Sequence, residues 1–488
     1  MSAAGPRGIA AVAGERSPAD DVSERYRWIT LGVVFVGTLM VVLDTTIVNV
    51  ALPQIRNSLD AGDGIEWVVT AYLLAVAVSQ PATGWLADRF GRKRVFVASL
   101  ACFTFASLLC AFAPSLGALI GFRVLQGLGG GAMMPVGMAM IFEVFPHERR
   151  GQAMGVWGVA AMAGPAIGPT LGGYLVTSVS WHWLFLVNVP VGVLGVALSI
   201  RLLRDFGYRD DRSLDVLGLV FGGAGLALTL LGIAQSAQWG WGSPLTIGTI
   251  GVGSLLLVAF VVQELRVPDP AVEVRMFAVP VFAAAMAVVL LTAAAQYVRI
   301  VFIPLQLEEL RGYTALRVGV LLIPSAVFTA LGMPLGGRLV DRVGPRTPVV
   351  AGCALMALTS FGLGNLEIDT PIAIVVALLA VQGFGMGLTA APATVAGMNS
   401  LSGRFVAQAS AMRSLSSQVA GATAIAVMST VVASRMGDSP TPTQSQSAYN
   451  TAFLLVSAGL VGAAVIGLRL PRRSAARLDA EVAVLASD

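Results

Sequence analysis

At 488 residues, 56% hydrophobic and 12% charged, with a mean hydropathy of +0.80 and a net charge of +4, the chain carries about half the charge of an ordinary soluble domain. That much apolar surface cannot be hidden in one water-soluble core, which excludes a soluble fold. The few basic residues lie in short connections rather than on one face, which argues against nucleic acid as a partner.

A helix rises about 1.5 Å per residue, so about 20 apolar residues cross a membrane. Residues 1–27 are polar and are expected to form a cytoplasmic tail. Fourteen apolar segments follow, at 28–52, 65–86, 95–113, 116–142, 152–176, 182–203, 214–234, 244–264, 281–306, 316–336, 348–366, 371–399, 407–433 and 449–470. A second tail runs over 471–488. The expected class is an all-α polytopic membrane protein. Positive charge gathers after even-numbered spans: Arg89, Arg92, Lys93 and Arg94; Arg149 and Arg150; Arg201, Arg204, Arg209 and Arg212; Arg338, Arg342 and Arg346; Arg472, Arg473 and Arg477. By the positive-inside rule both termini are cytoplasmic and the protein sits in the cell membrane. Trp67, Trp181, Trp183, Trp239 and Trp241 then fall on the outer side, as an aromatic belt would.

Cys102, Cys110 and Cys353 stand singly in apolar segments, and His147 and His182 are far apart, so neither a metal site nor a cofactor is expected. Lys93 is followed by Arg94, so a P-loop is excluded. With no nucleophile–base constellation either, an enzyme is the weak reading.

The stretch "GWLADRFGRKR" from Gly84 is echoed by "GRLVDRVGPR" from Gly337. Gly84 matches Gly337, Asp88 matches Asp341, Arg89 matches Arg342 and Gly91 matches Gly344. A motif repeated after an even span in each half implies a duplicated bundle. The copies are too far apart for six spans alone, and the excess matches two extra spans. The expected organisation is a six-helix bundle at 28–203, two inserted helices within 204–270 and a second six-helix bundle at 271–470. Between Asp215 and Glu264 there is no charge, which suits a lipid-facing pair.

Five stretches in order, "LDTTIVNVALP" (Leu43 to Pro53), "GWLADRFGRKR", "RVLQGLGGGA" (from Arg123), "GVWGVAAMAGPAIGPTLGG" (Gly155 to Gly173) and "WHWLFLVNVP" (Trp181 to Pro190), carry a resemblance to the major facilitator superfamily. Within it, the chain resembles the fourteen-span drug:proton antiporters, over nearly all of 28–470. The resemblance implies the major facilitator fold and export of amphiphilic small molecules, driven by protons without a cofactor, from a monomer in lipid. It implies a cytoplasmic gating motif at Gly84, Asp88, Arg89, Gly91 and Arg92, echoed by Asp341 and Arg342. It further implies an antiporter motif at Gly155, Gly164, Gly168, Pro169, Gly172 and Gly173. His182 stands where Arg is common, and span ten lacks the acid of some dication exporters.

Asp44 and Arg123 each lie about eight residues from the outer end of their span, roughly 12 Å deep. An unpaired charge in mid-span costs about 2.5–3.5 kcal/mol, so the two are expected to neutralise each other. Asp44 is then the candidate proton-exchanging carboxylate, with Arg123 setting how readily it gives up its proton; the alternative is a static ion pair. Gly164, Gly168 and Gly172 recur every four residues and form a stripe that admits a close helix backbone, with Pro169 able to bend the helix. Asp88 and Arg92 are placed to bond helix ends. Arg299, Arg413 and Glu143 are read as interfacial, the arginines snorkelling. Met40, Met133, Met134, Tyr297 and Phe302 could line an adaptable apolar site, or equally face lipid or core. Three functions stay open: proton-coupled drug or antibiotic export, transport of one specific metabolite or siderophore, and a non-transporting receptor or scaffold.

Overall fold

The computed structural model describes residues 22–61, 64–205, 214–240, 242–436 and 441–472, apart from the side chains of 165, 166, 169, 237, 315, 316 and 404. These residues form fifteen α-helices. In chain order they are α1 (Glu24–Ser58), α2 (Trp67–Phe90), α3 (Arg92–Ala111), α4 (Leu116–Val144), α5 (Arg150–Ser178), α6 (His182–Leu186), α7 (Asn188–Leu202), α8 (Val216–Trp239) and α9 (Pro244–Arg266). They continue with α10 (Pro280–Arg311), α11 (Ala315–Val343), α12 (Arg346–Leu363), α13 (Ile372–Asn399), α14 (Val406–Arg435) and α15 (Pro442–Gly467). Helices α6 and α7 together make one span, His182–Leu202, and 13 spans among the described residues are long and apolar enough to cross a membrane. The 29-residue α5, some of whose side chains lie outside the described set, falls on the remaining expected segment, 152–176.

Packing divides the chain into two units. One comprises Met1–Pro146, Ala163–Phe277 and Leu401–Leu415; the other comprises His147–Met162, Ala278–Ser400 and Ser416–Asp488. The division runs through α5 and α14, so the first turns of each helix are grouped apart from its remainder. In the first unit α4 packs on α1, α2 and α3, while α1 and α3 pack on α7. In the second unit α13 packs on α10, α11 and α12, while α10 and α12 pack on α15. The two patterns have one form, as a duplicated bundle requires.

Glycine sets the close approaches in both. A Cβ at Gly127 of α4 would lie 2.5 Å from the Tyr72 carbonyl oxygen, and one at Gly129 2.7 Å from the Phe103 amide nitrogen. On α13, a Cβ at Gly385 would lie 2.8 Å from the Gly352 carbonyl oxygen, and one at Gly387 2.6 Å from that of Thr329. Lipid supplies no hydrophobic drive between helices, so small residues that let backbones touch take its place. "QGLGGG" at Gln126 and "QGFGMG" at Gln382 are thus a second internal echo, unremarked in the sequence reading because it is apolar apart from one amide.

The repeated loop motif turns out to be largely helical. α2 runs to Phe90 and α11 to Val343, so Asp88, Arg89, Asp341 and Arg342 occupy final helical turns rather than loops. Charge lets these helices continue past the apolar stretch. What stops them is glycine: Gly91 has φ +91° and Gly344 φ +86°, a backbone region that side chains disfavour.

The inserted pair, α8 and α9, packs on itself, and α8 leans on α2. A Cβ at Gly225 would lie 3.0 Å from the Leu257 amide, while Val220 and Leu255 are 54% and 68% exposed. Apolar side chains exposed on this scale suit a lipid-facing pair. One end of the pair is closed by buried acids. Asp215 caps α8 by accepting from the Gly218 amide at 2.9 Å, and Glu264 accepts from the Val272 amide at 3.0 Å.

The aromatic belt fails at Trp181, which is buried: its Nε1 donates to Ser58 Oγ at 3.0 Å and its ring stacks on His182. Trp241, Arg209, Arg212, Arg473 and Arg477 lie outside the described residues.

Candidate functional site

Asp44 sits at the centre of the first unit with no exposed surface, and Arg123 is 1% exposed. Arg123 Nη1 donates to Asp44 Oδ2 at 2.6 Å. The other carboxylate oxygen, Oδ1, accepts from Gln126 Nε2 at 2.9 Å and from Asn188 Nδ2 at 3.3 Å. Arg123 Nη1 also donates to Gln126 Oε1 at 2.6 Å, and Nε to the Val68 carbonyl at 3.0 Å. Gln126 Nε2 reaches Ser107 Oγ at 2.7 Å. The guanidinium lies over the Tyr72 ring, 4.0 Å from its centroid, and Phe185 stands at 5.8 Å. Helices α1, α2, α3, α4, α6 and α7 each contribute a group.

The expected neutralisation of Asp44 by Arg123 is therefore a direct, buried, charge-assisted bond. Gln126, Asn188, Ser107 and Tyr72 went unread. Gln126 follows Arg123 by three residues, one helical turn on, and Asn188 interrupts an apolar span. Both polar residues stood inside stretches already quoted; the signal was an amide where hydrocarbon is expected.

The glycine stripe seats α5 on the turn of α1 that carries the acid. A Cβ at Gly164 would meet Val42, one at Gly168 would meet Thr46, and one at Gly172 would lie 2.9 Å from Ile47. Thr46 Oγ1 donates to the Gly164 carbonyl at 3.2 Å. Gly173 faces open space, and the Pro169 side chain lies outside the described residues. Gly155 belongs to the part of α5 grouped with the second unit, where a Cβ would lie 2.7 Å from the Met333 carbonyl oxygen.

A cavity of about 90 Å³ adjoins the acid, lined among others by Met40, Leu43, Asp44, Leu171, Asn188 and Val191. Met133 and Phe302 are core residues, whereas Tyr297 is 37% exposed.

The acids of the repeated motif hold the starts of other helices. Asp341 accepts from the Gly151 amide at 2.9 Å (Oδ1) and the Gln152 amide at 2.8 Å (Oδ2), capping α5. Asp88 Oδ2 accepts from Gln408 Nε2, in the first turn of α14, at 3.2 Å. A Cβ at Gly84 would lie 2.7 Å from Gln408 Cγ, and one at Gly337 would strike the Gly151 carbonyl. Arg92 is buried; it donates to the Ala139 and Gly403 carbonyls at 3.3 and 3.1 Å and pairs with Glu143 at 3.5 Å. Glu143 is thus part of this cluster rather than a lone interfacial acid. Arg89 and Arg342 are exposed.

Arg299 departs from expectation. It lies nineteen residues into α10 and twelve from its end, so roughly 18 Å from the nearer terminus. Its side chain is held by interior groups rather than reaching for that end. Its Nη1 instead donates to Ser325 Oγ at 2.5 Å, on a residue 1% exposed, and its Nη2 to Gln296 Oε1 at 2.9 Å.

Comparison with known proteins places the chain in a family. The sequence profile described as Major Facilitator Superfamily matches residues 34–425 and again 285–481. The chain is 32% identical over 439 residues to the tetracenomycin C resistance and export protein of Streptomyces glaucescens, covering 89% of this chain and 80% of that one. It is 32% identical over 450 residues to a multidrug resistance protein B homolog of Mycobacterium tuberculosis, covering 91% and 83%. Among solved structures, the human organic anion transporter MFSD10 superposes with a TM-score of 0.65, covering 90% of this chain and 99% of that one. At 16% identity that likeness concerns the fold alone.

Proposed function

The chain belongs to the major facilitator superfamily, and from that premise we propose that it exports amphiphilic small molecules from the cytoplasm in exchange for protons, by alternating access, with both termini cytoplasmic. The observation that carries this reading is the buried Asp44 carboxylate and the way it is held. Asp44 accepts from three side chains, and its one cationic partner does not depend on it. If Asp44 takes up a proton, Arg123 still has Gln126 Oε1 and the Val68 carbonyl as acceptors. Asn188 can rotate its amide to accept from a protonated acid, since an amide offers both a donor and an acceptor. The cluster therefore supports two charge states without leaving a buried cation bare, which a simple ion pair does not. The α5 stripe transmits any shift of this α1 turn, because glycine packing leaves no slack between the two backbones. The relatives' names, an antibiotic export protein and a multidrug resistance homolog, support an amphiphilic cargo.

The test is transport in sealed proteoliposomes with an imposed pH gradient. With Asp44→Asn, gradient-driven accumulation should fall to the level of protein-free vesicles while substrate exchange at equal pH persists. Undiminished gradient-driven transport by that variant would overturn the role of Asp44. Wild-type protein that moves no solute under any gradient would leave the receptor reading in its place.

A further inference from the structure

We propose that Arg299 is an anion-recognition site, and that the molecules handled by the second unit include otherwise apolar ones bearing a carboxylate or an acidic phenolate. This rests on the reading of the chain as a small-molecule exporter and narrows its cargo.

The first support is the internal symmetry. Asp44 lies twenty residues into α1, and Arg299 nineteen into α10, its counterpart in the repeat. The two halves thus carry charges of opposite sign at about one depth. In the first unit the charge is neutralised from α4 by Arg123, three residues before Gln126. In the second, the residue three before Gln382 on α13 is Leu379. The second half keeps a charge at this level and lacks the counter-ion.

The second support is how the guanidinium is held. Its two recorded partners, Ser325 and Gln296, are neutral, and no carboxylate of the described residues lies within ion-pair distance. A guanidinium has five N–H donors in a planar fork. Two are used, by one bond from each terminal nitrogen. Three remain; Nε is not a buried unpartnered atom, and the residue itself is half-buried. Two anchors that fix the plane while leaving donors free make a pre-organised receptor for a planar oxyanion. The bond to the buried Ser325 turns the side chain inward, away from a lipid headgroup. A cation is costly at this level unless something pairs with it, and the cargo is what remains to do so.

The probes are fluorescein, an anion, and rhodamine 123, a cation on the same three-ring skeleton. Their binding to purified protein in nanodiscs is read by fluorescence anisotropy. Arg299→Gln should weaken fluorescein by about tenfold or more, a loss of one charge-assisted contact, and leave rhodamine 123 within about twofold. Arg299→Lys, which keeps the charge and loses the fork, should fall between; if the Gln variant does not fold, the same contrast is read from Lys against wild type. Equal weakening of both dyes, or fluorescein binding unchanged by the substitutions, overturns the inference. Wild-type protein that binds rhodamine 123 and not fluorescein overturns it while leaving amphiphile export standing. Wild-type protein that binds neither removes both readings.

Discussion

The two units share one packing plan and differ in chemistry at its centre. In the first, Gln126 ties together Asp44, Arg123 and Ser107. In the second, Gln382 at the matching place bonds Ser360 at 2.8 Å, and its Oε1 is buried without a hydrogen-bond partner. The Gln–Ser bond between the third and fourth spans is thus common to both halves, and the acid–base pair is an addition to one. The two halves share the amide that ties α4 and α13 to their neighbours, and among the described residues the buried acid–base pair stands in the first alone.

The sharpest way to break this contrast is to make the first half resemble the second. Arg123→Leu copies Leu379 and strands a buried carboxylate; unfolding in mixed micelles should show a loss of about 3–5 kcal/mol. Combining it with Asp44→Asn should restore most of that loss, since breaking one partner costs far more than removing both. Gln126→Leu and Gln382→Leu form the next pair. The first severs bonds to two charged groups and should cost about 2–3 kcal/mol, the second about 1 kcal/mol, in the same assay. Packing gives a third test. Gly168→Val should push α5 off the Asp44 turn, costing about 1–3 kcal/mol as overpacking and depressing pH-driven transport; Gly173→Ala, facing open space, should do neither. The smallest difference is expected at the turn glycines. Gly91→Ala and Gly344→Ala should each cost about 1–3 kcal/mol from positive φ. Gly91→Ala should be the worse, because its Cβ would lie 2.5 Å from Asp205 Oδ1.

Much of this was legible in the sequence. The membrane spans and the Asp44–Arg123 pair follow from the scarcity of charge in hydrocarbon, which makes each exception conspicuous. Gln126 and Asn188 were harder to see because a neutral amide in a span is cheaper and commoner than a charge. Arg299 was misplaced for a traceable reason. The span was ended near residue 306, ahead of Glu308 and Glu309, while α10 continues through Pro304 to Arg311. What the span boundary did not reveal is the bond to the buried Ser325 on the next helix, which turns the side chain inward. Trp181 was assigned to the membrane surface by its residue type, but its partner Ser58 lies at the far end of α1, a contact no local pattern encodes.

The small chamber beside Asp44 has a bearing on how two passengers can share one machine. At about 90 Å³ it accommodates roughly three water molecules, whereas drug-sized ligands occupy sites of about 300 Å³ and upward. A hydronium fits where a polycyclic molecule does not. On the proposed reading, proton and cargo need not contend for one seat, so that a variant altering which molecules are carried can leave the exchange ratio untouched.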